Sequence, residues 1–250
     1  RRVGHTGTLD PFASGLLVLC IGRATRLAEY LSGMSKTYHA TARLGVTTDT
    51  LDCDGSVMDE RDASSVDEAA IRQALAALVG DIQQVPPQFS AKKVDGERMH
   101  RRARRGEHVD LPPADVTIHG AAFVSRDASD IEFSVRCSSG TYIRAIARDL
   151  GEALGVGAHL TELRRISVGQ YSITDAVSMD ELNDEVAVAR ARVAPVAAMA
   201  HLEGITLEDE DAARLLQGQR IRIAGEGEGR SVDRVAISLG ENLLAIAELD

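Results

Sequence analysis

The chain has 250 residues, with 28 Lys and Arg against 38 Asp and Glu, and carries a net charge of -10. Hydrophobic residues make up 44% of it, yet no uninterrupted apolar run reaches the roughly 18 residues of a membrane helix, and the start lacks the tripartite form of a secretory signal. Membrane and secreted classes drop out, leaving a soluble, cytoplasmic protein with room for one large domain or two unequal ones.

Cys20, Cys53 and Cys137 are far apart and match neither a C-x-x-C pair nor a zinc spacing, which suits a reducing compartment. Trp is absent, and four Tyr and four Phe leave few rings on which a flat ligand could stack. The opening Arg1-Arg2-Val3 predicts a trimmed amino terminus.

Residues 16–21 form an apolar run between Gly15 and Gly22, a short buried segment whose periodicity does not choose between helix and strand. Residues 37–44 alternate and favour a strand. Ser65-Val66-Asp67-Glu68 reads as a capping box, with Ile71, Leu75, Leu78 and Val79 behind it at helical spacing and Gly80 as the stop. Residues 96–106 are polar and basic and predict a short helix displayed on a loop. Residues 116–124 and 131–137 read as strands. After the turn Ser138-Ser139-Gly140, Ile143, Ile146, Ala147, Leu150 and Leu154 make a helical stripe. Residues 207–216 read as a helix and 234–249 as short strands. Helices and strands mix without βαβ alternation, which predicts an α+β fold with a largely antiparallel sheet and flanking helices.

The acidity reverses locally. Residues 92–105 hold Lys92, Lys93, Arg98, Arg101, Arg102, Arg104 and Arg105 against Asp95 and Glu97, a net +5 that suits either a polyanion site or a solvated helix face. Residues 203–250 carry eleven carboxylates and five Arg, a net -6. That shift in composition places a first domain at 1–200 and a small second one at 201–250.

Most chemical motifs fail. A calcium loop beginning at Thr50 would need Glu where Arg61 stands, so Asp52 and Asp54 read as turn or local ion-pair carboxylates. The sequence contains no G-K-[ST] phosphate loop, dinucleotide fingerprint, H-E-x-x-H or G-x-S-x-G. His119, His159 and His201 receive no role. What remains is the glycine-rich stretch Gly4-His5-Thr6-Gly7-Thr8-Leu9-Asp10-Pro11-Phe12-Ala13-Ser14-Gly15-Leu16-Leu17. Pro11 disfavours the α region at Asp10 and could hold its carboxylate outward as a nucleophile, although an Asp-Pro step in such a loop is more often a simple turn.

Residues 4–17 resemble the catalytic signature G-H-x-G-x-L-D-P-x-A-x-G-x-L of the bacterial tRNA pseudouridine-55 synthases, the TruB family. Three further segments agree in order: Lys36-Thr37-Tyr38 with Ala42-Arg43-Leu44-Gly45 and Thr48-Asp49-Thr50; Cys137-Ser138-Ser139-Gly140-Thr141-Tyr142-Ile143-Arg144; and Gly157-Ala158-His159-Leu160 with Leu163-Arg164-Arg165. The resemblance implies a pseudouridine-synthase-like mixed sheet, lacking its opening strand here, followed by a small, β-rich PUA-like domain.

It also implies roles. Asp10 is then the nucleophile and Arg144 its ion partner. Tyr38 stacks on the target uridine and is a candidate for removing its C5 proton, Tyr142 and Leu163 hold the base, and His5 fills the gap left in the RNA stack. Residues 88–112 resemble the insertion that contacts the T loop, with Lys92, Lys93, Arg101 and Arg104 on the RNA backbone and His100 where a tyrosine is usual. The isomerisation needs no cofactor or metal. The implied partner is the tRNA T stem-loop, with no membrane and no obligate protein partner, for a monomer. Two rival readings stay open: a tRNA-folding chaperone on the same scaffold, and a related synthase acting on another RNA.

Overall fold

The computed structural model describes residues 2–90, 93–94, 97–99, 105, 109, 111–221 and 234–248, with backbone placement alone at 93, 94, 97 and 98. The expected RNA contacts Lys92, Arg101 and Arg104 lie outside the described residues. Lys93 is described only as part of a two-residue strand.

The chain divides into two compact units. One comprises His5–Val18 and Ser32–Ala176; the other comprises Arg1–Gly4, Leu19–Leu31 and Val177–Asp250. The first strands are short: β1 (Val3–His5), β2 (Ser14–Gly15) and β3 (Leu19–Ile21). The larger unit then runs through β4 (Lys36–Leu44), β5 (Val46–Thr48), β6 (Val57–Glu60), α1 (Glu68–Ala77) and β7 (Gly80–Gln84). After β8 (Lys93–Val94) and β9 (Glu97–Arg98) come β10 (Ala114–Asp127), β11 (Asp130–Cys137), α2 (Ile143–Ala153), β12 (Ala158–Val168) and β13 (Tyr171–Ser172).

Among the described residues, seven strands form the main sheet in the order β13-β12-β4-β11-β10-β7, with β2 added alongside β12. Every pairing is antiparallel except that of β2 with β12. The mixed α+β class and the largely antiparallel sheet are therefore as expected.

Strict alternation along β4 sends Lys36, Tyr38, Ala40, Ala42 and Leu44 to one buried face. Ile71 and Leu75 of α1 and Ile143, Ile146, Ala147 and Leu150 of α2 share a core cluster with that face and with Ile131, Phe133 and Val135 of β11. Fully burying each Leu, Ile or Phe stabilises by about 1.5–3 kcal/mol, so the stability of this unit is concentrated between the helices and the sheet. In the other unit, β14 (Glu203–Thr206) pairs in parallel with β15 (Val235–Leu239), which pairs antiparallel with β16 (Asn242–Ala247). Ile205, Val235 and Ile237 pack there against Ala212 of a helix at Asp209–Leu216.

Several expectations need correction. The run 16–21 is not buried throughout: Leu16 and Cys20 point inward, whereas Leu17, Leu19 and Ile21 are 41%, 51% and 57% exposed. It is an alternating edge segment rather than a core strand. The helix after Ser65 begins later than the capping box predicts. Asp67 is the N-cap, accepting from the Ala70 amide at 2.7 Å, so Ser65 stands outside the helix and Glu68 inside its first turn. Within the stretch expected to be helical from Gly96, Glu97–Arg98 is instead a strand paired with Lys93–Val94. Most of the remainder of that stretch lies outside the described residues. The sequence pattern gave no strand at 158–168, yet β12 is central to the sheet.

Two outcomes follow. Asp67→Ala should cost about 1 kcal/mol of unfolding free energy in urea, and Ser65→Ala should stay within ~0.5 kcal/mol of the parent protein. Cys20 and Cys137 are buried and Cys53 is exposed, and burial pushes the Cys137 thiol up to about 11. At pH 8, well below that value, Ellman's reagent should therefore titrate Cys53 alone in the native protein and all three cysteines after denaturation.

Candidate active site

The Asp-Pro step is a turn and also presents a carboxylate. The Asp10 carbonyl accepts from the Ala13 amide at 2.9 Å, with Pro11 in the second position of the turn, where its fixed φ is favoured. The Asp10 side chain remains 32% exposed. Arg144, in the first turn of α2, meets it with a side chain only 4% exposed. Nε donates to Asp10 Oδ2 and Nη2 to Oδ1, both at 2.9 Å, in a bidentate fork that fixes the carboxylate plane.

The same guanidinium is held from behind. Nη1 donates to the Thr50 carbonyl and Nη2 to the Phe89 carbonyl, each at 2.8 Å, and Nη1 lies 3.2 Å from Asp52 Oδ2. Asp52, 5% exposed, also accepts from Thr50 Oγ1 at 2.6 Å and from the Asp54 amide at 3.1 Å. Leu51 between them adopts φ 65°, a left-handed conformation unusual for a bulky residue. That backbone turns both the Thr50 carbonyl and the Asp52 carboxylate toward Arg144.

Tyr38 is buried on the inward face of β4. Burial pushes its phenol up, Arg165 pulls it partly back, and the Asp10 carboxylate pushes in the same direction as burial. Leu163, buried on β12, faces Ala40 of β4 and lines a groove with Phe12 and Ser14 of the Asp10 loop. Tyr142 is the N-cap residue of α2 and supplies no capping side chain. Its peptide is instead gripped by the buried Gln84 side chain, which accepts from the Tyr142 amide at 2.8 Å and donates to its carbonyl at 3.2 Å. His5 is exposed at the end of β1, its Nδ1 receiving the Gly7 amide at 3.4 Å.

The structure thus brings Asp10 and Arg144 into contact and sets Tyr38 and Leu163 in the adjoining core. Sequence reasoning missed Asp52, Gln84 and Arg165. Asp52, expected as a turn or local ion-pair carboxylate, pairs instead with Arg144, far along the chain. Among the described residues no group of three His, Cys, Asp or Glu could hold a metal ion. No helix among them is long and apolar enough to cross a membrane.

Comparison with known proteins defines the class. Over 99% of its length the chain superposes on 70% of a protein chain in a crystal structure of a Cbf5-Nop10-Gar1 complex, with a TM-score of 0.76 and 27% identity. The fold is that of a pseudouridine synthase. Residues 1–143 match the TruB family pseudouridylate synthase N-terminal domain, and residues 144–207 the tRNA pseudouridylate synthase B C-terminal domain. A tRNA pseudouridine synthase B of Arthrobacter sp. (strain FB24) is 50% identical over 235 residues, covering 92% of this chain and 76% of the relative. Its counterpart in Burkholderia mallei (strain NCTC 10247) is 49% identical over 226 residues, covering 90% and 74%. The chain belongs to the TruB family of pseudouridylate synthases, and is an isomerase.

Removing Arg144 would leave Asp52 buried without its cation. Arg144→Met should lower the unfolding free energy by about 3–5 kcal/mol in urea denaturation, and adding Asp52→Leu should recover much of that loss.

Proposed function

We propose that this enzyme converts uridine to pseudouridine at position 55 in the T loop of tRNA, with Asp10 as the nucleophile. The observation that carries this reading is the bidentate grip of a buried Arg144 on a partly exposed Asp10 within the family's catalytic loop. The arginine fork fixes the plane of the carboxylate, and the exposure leaves it a path to substrate. In the reaction the bond from ribose C1′ to uracil N1 breaks and one to C5 forms. The C5 proton is lost and N1 gains one, so neither oxidant nor net water enters.

Asp52 has a part in this reading. A cation shared with a second carboxylate keeps its geometry while Asp10 changes charge, so Arg144 need not collapse onto either partner. Tyr38, Tyr142 and Leu163 hold the detached base against escape. A base in a folded loop must be extruded to reach them, at a cost of about a few kcal/mol that stacking and backbone contacts offset. His5, exposed beside the loop, is suited to replace the extruded base in the RNA stack. Lys92, Lys93, Arg101 and Arg104 of the basic insertion grip phosphates. Relatives at 49–50% identity carry tRNA in their names, which favours tRNA over another RNA. The reading needs no cofactor, and the enzyme acts as a cytoplasmic monomer.

Carbodiimide-primer extension on an unmodified tRNA transcript tests it. A stop at position 55 is expected with the parent chain. With Asp10→Asn it should vanish, at a rate loss on the order of 1,000-fold or more, while gel-shift affinity stays within about three-fold. Binding without any stop at 55 would overturn the synthase reading in favour of a chaperone, and a stop at a different position would reassign the target.

A further inference from the structure

Arg165 is the largest fully buried side chain of the described residues, 1% exposed, on β12, between β13 and β4 in the sheet. Burying a guanidinium carries a desolvation penalty that a Met of similar length would avoid. Among the described residues its polar partners are not carboxylates. Nε donates to the Leu16 carbonyl at 2.8 Å and Nη2 to the Gly7 carbonyl at 3.0 Å. These carbonyls stand on either side of Asp10 in the chain, so one planar group bridges the two ends of the nucleophile loop.

The backbone of Arg165 reinforces the same join. Its carbonyl accepts from the Leu16 amide at 2.8 Å, and its strand pairs with Gly15. A Cβ on Gly15, at φ 106°, would lie 2.3 Å from that carbonyl, so only glycine lets the loop approach this closely. Arg165 and Tyr38 are directly opposed in the antiparallel β12–β4 ladder, so their side chains share the inward face. The guanidinium there interacts with the Tyr38 hydroxyl. Lys36, two residues along the same face, is also buried, with Nζ donating to the carbonyls of Ser32 and Met34. Two cationic side chains thus share the buried face with Tyr38, Lys36 on its own strand and Arg165 on the facing one.

We propose that Arg165 is a positioning residue for the reaction, setting the spacing between the Asp10 loop and Tyr38 by holding both ends of that loop and the phenol with one rigid guanidinium. It rests on the roles given above to Asp10 and Tyr38. Without the guanidinium the Leu16 end would keep its backbone pairing to β12, whereas the Gly7 end would lose its tie to that strand and the phenol its link to the loop. Misplacement of reacting groups by about 1 Å can cost on the order of 100-fold in rate.

The test uses the full chain with Arg165→Lys, Arg165→Met, Tyr38→Phe and the Arg165→Met/Tyr38→Phe double variant. Single-turnover rates on tRNA transcript, transcript affinity, and ultraviolet titration of the Tyr38 phenol by difference from Tyr38→Phe are read for each pair. Arg165→Met is expected to slow turnover by about 10–100-fold with affinity within about three-fold, and to raise the pH at which Tyr38 ionises. Its effect should not add to that of Tyr38→Phe. Arg165→Lys, which keeps the cation but not the planar fork, should fall between, nearer the parent in Tyr38 titration than in rate.

A parent-like rate in Arg165→Met overturns the proposal. So does a rate loss additive with Tyr38→Phe and accompanied by an unchanged phenol titration, because that is the signature of a purely structural residue. If Arg165→Met does not fold, the Lys variant decides: a rate equal to the parent overturns the proposal, and a loss at unchanged affinity supports it. If the parent forms no pseudouridine, the functional reading fails separately. The titration then still tests the contact, and an unchanged Tyr38 titration overturns it.

Discussion

A single buried cation organises the larger unit. The Arg144 guanidinium donates to the Asp10 carboxylate and to the Thr50 and Phe89 carbonyls, and pairs with the Asp52 carboxylate. Taking such a charge out of water costs several kcal/mol, and a network this buried stabilises only when complete. The unfavourable backbone of Leu51 is tolerated because relaxing it would withdraw two of those partners at once. Leu51 is also held from the sheet, its carbonyl accepting from the Leu160 amide at 3.0 Å.

The sheet supplies the second constraint. β4 and β12 form its spine, and the inward positions of both strands carry polar groups of the site among apolar neighbours. Two register shifts along β12, at Leu160/Glu162 and Arg165/Ser167, permit this. Each shift changes which residues face inward, so that Leu163 and Arg165 are both buried while Glu162 and Arg164 are exposed. At the other end of the core, α2 begins without a side-chain cap, and Gln84 of β7 takes over by pairing with the Tyr142 peptide. The helix start that carries Arg144 is thus located by the sheet rather than by its own sequence.

These features explain what could and could not be read from sequence. β4 and β11 alternate cleanly and α2 has a clean apolar stripe, so pattern sufficed for them. β12 defeated the same rule because its bulges break the period of two and because a charged residue occupies an inward place. The cap slid from Ser65 to Asp67 because both residues can accept from an amide three positions on, and local sequence does not rank them. Asp10 stands out through the motif around it, not through its own physics, since an Asp-Pro turn looks the same with or without chemistry. Asp52, Gln84 and Arg165 act through partners distant along the chain, Arg144, Tyr142 and Gly7 among them, and no local pattern announces such pairings.

The clamp on the Asp10 loop also decides when its conformational entropy is lost. Ordering backbone costs about 1–2 kcal/mol per residue. A loop left free until RNA arrived would subtract that cost from every binding event. Here the carbonyls of Gly7 and Leu16 are tied by Arg165, and the carboxylate between them is forked by Arg144, so the fold's own residues hold the loop. On the function proposed above, that ordering is met by contacts within the fold, which leaves the energy of docking RNA for extruding the base.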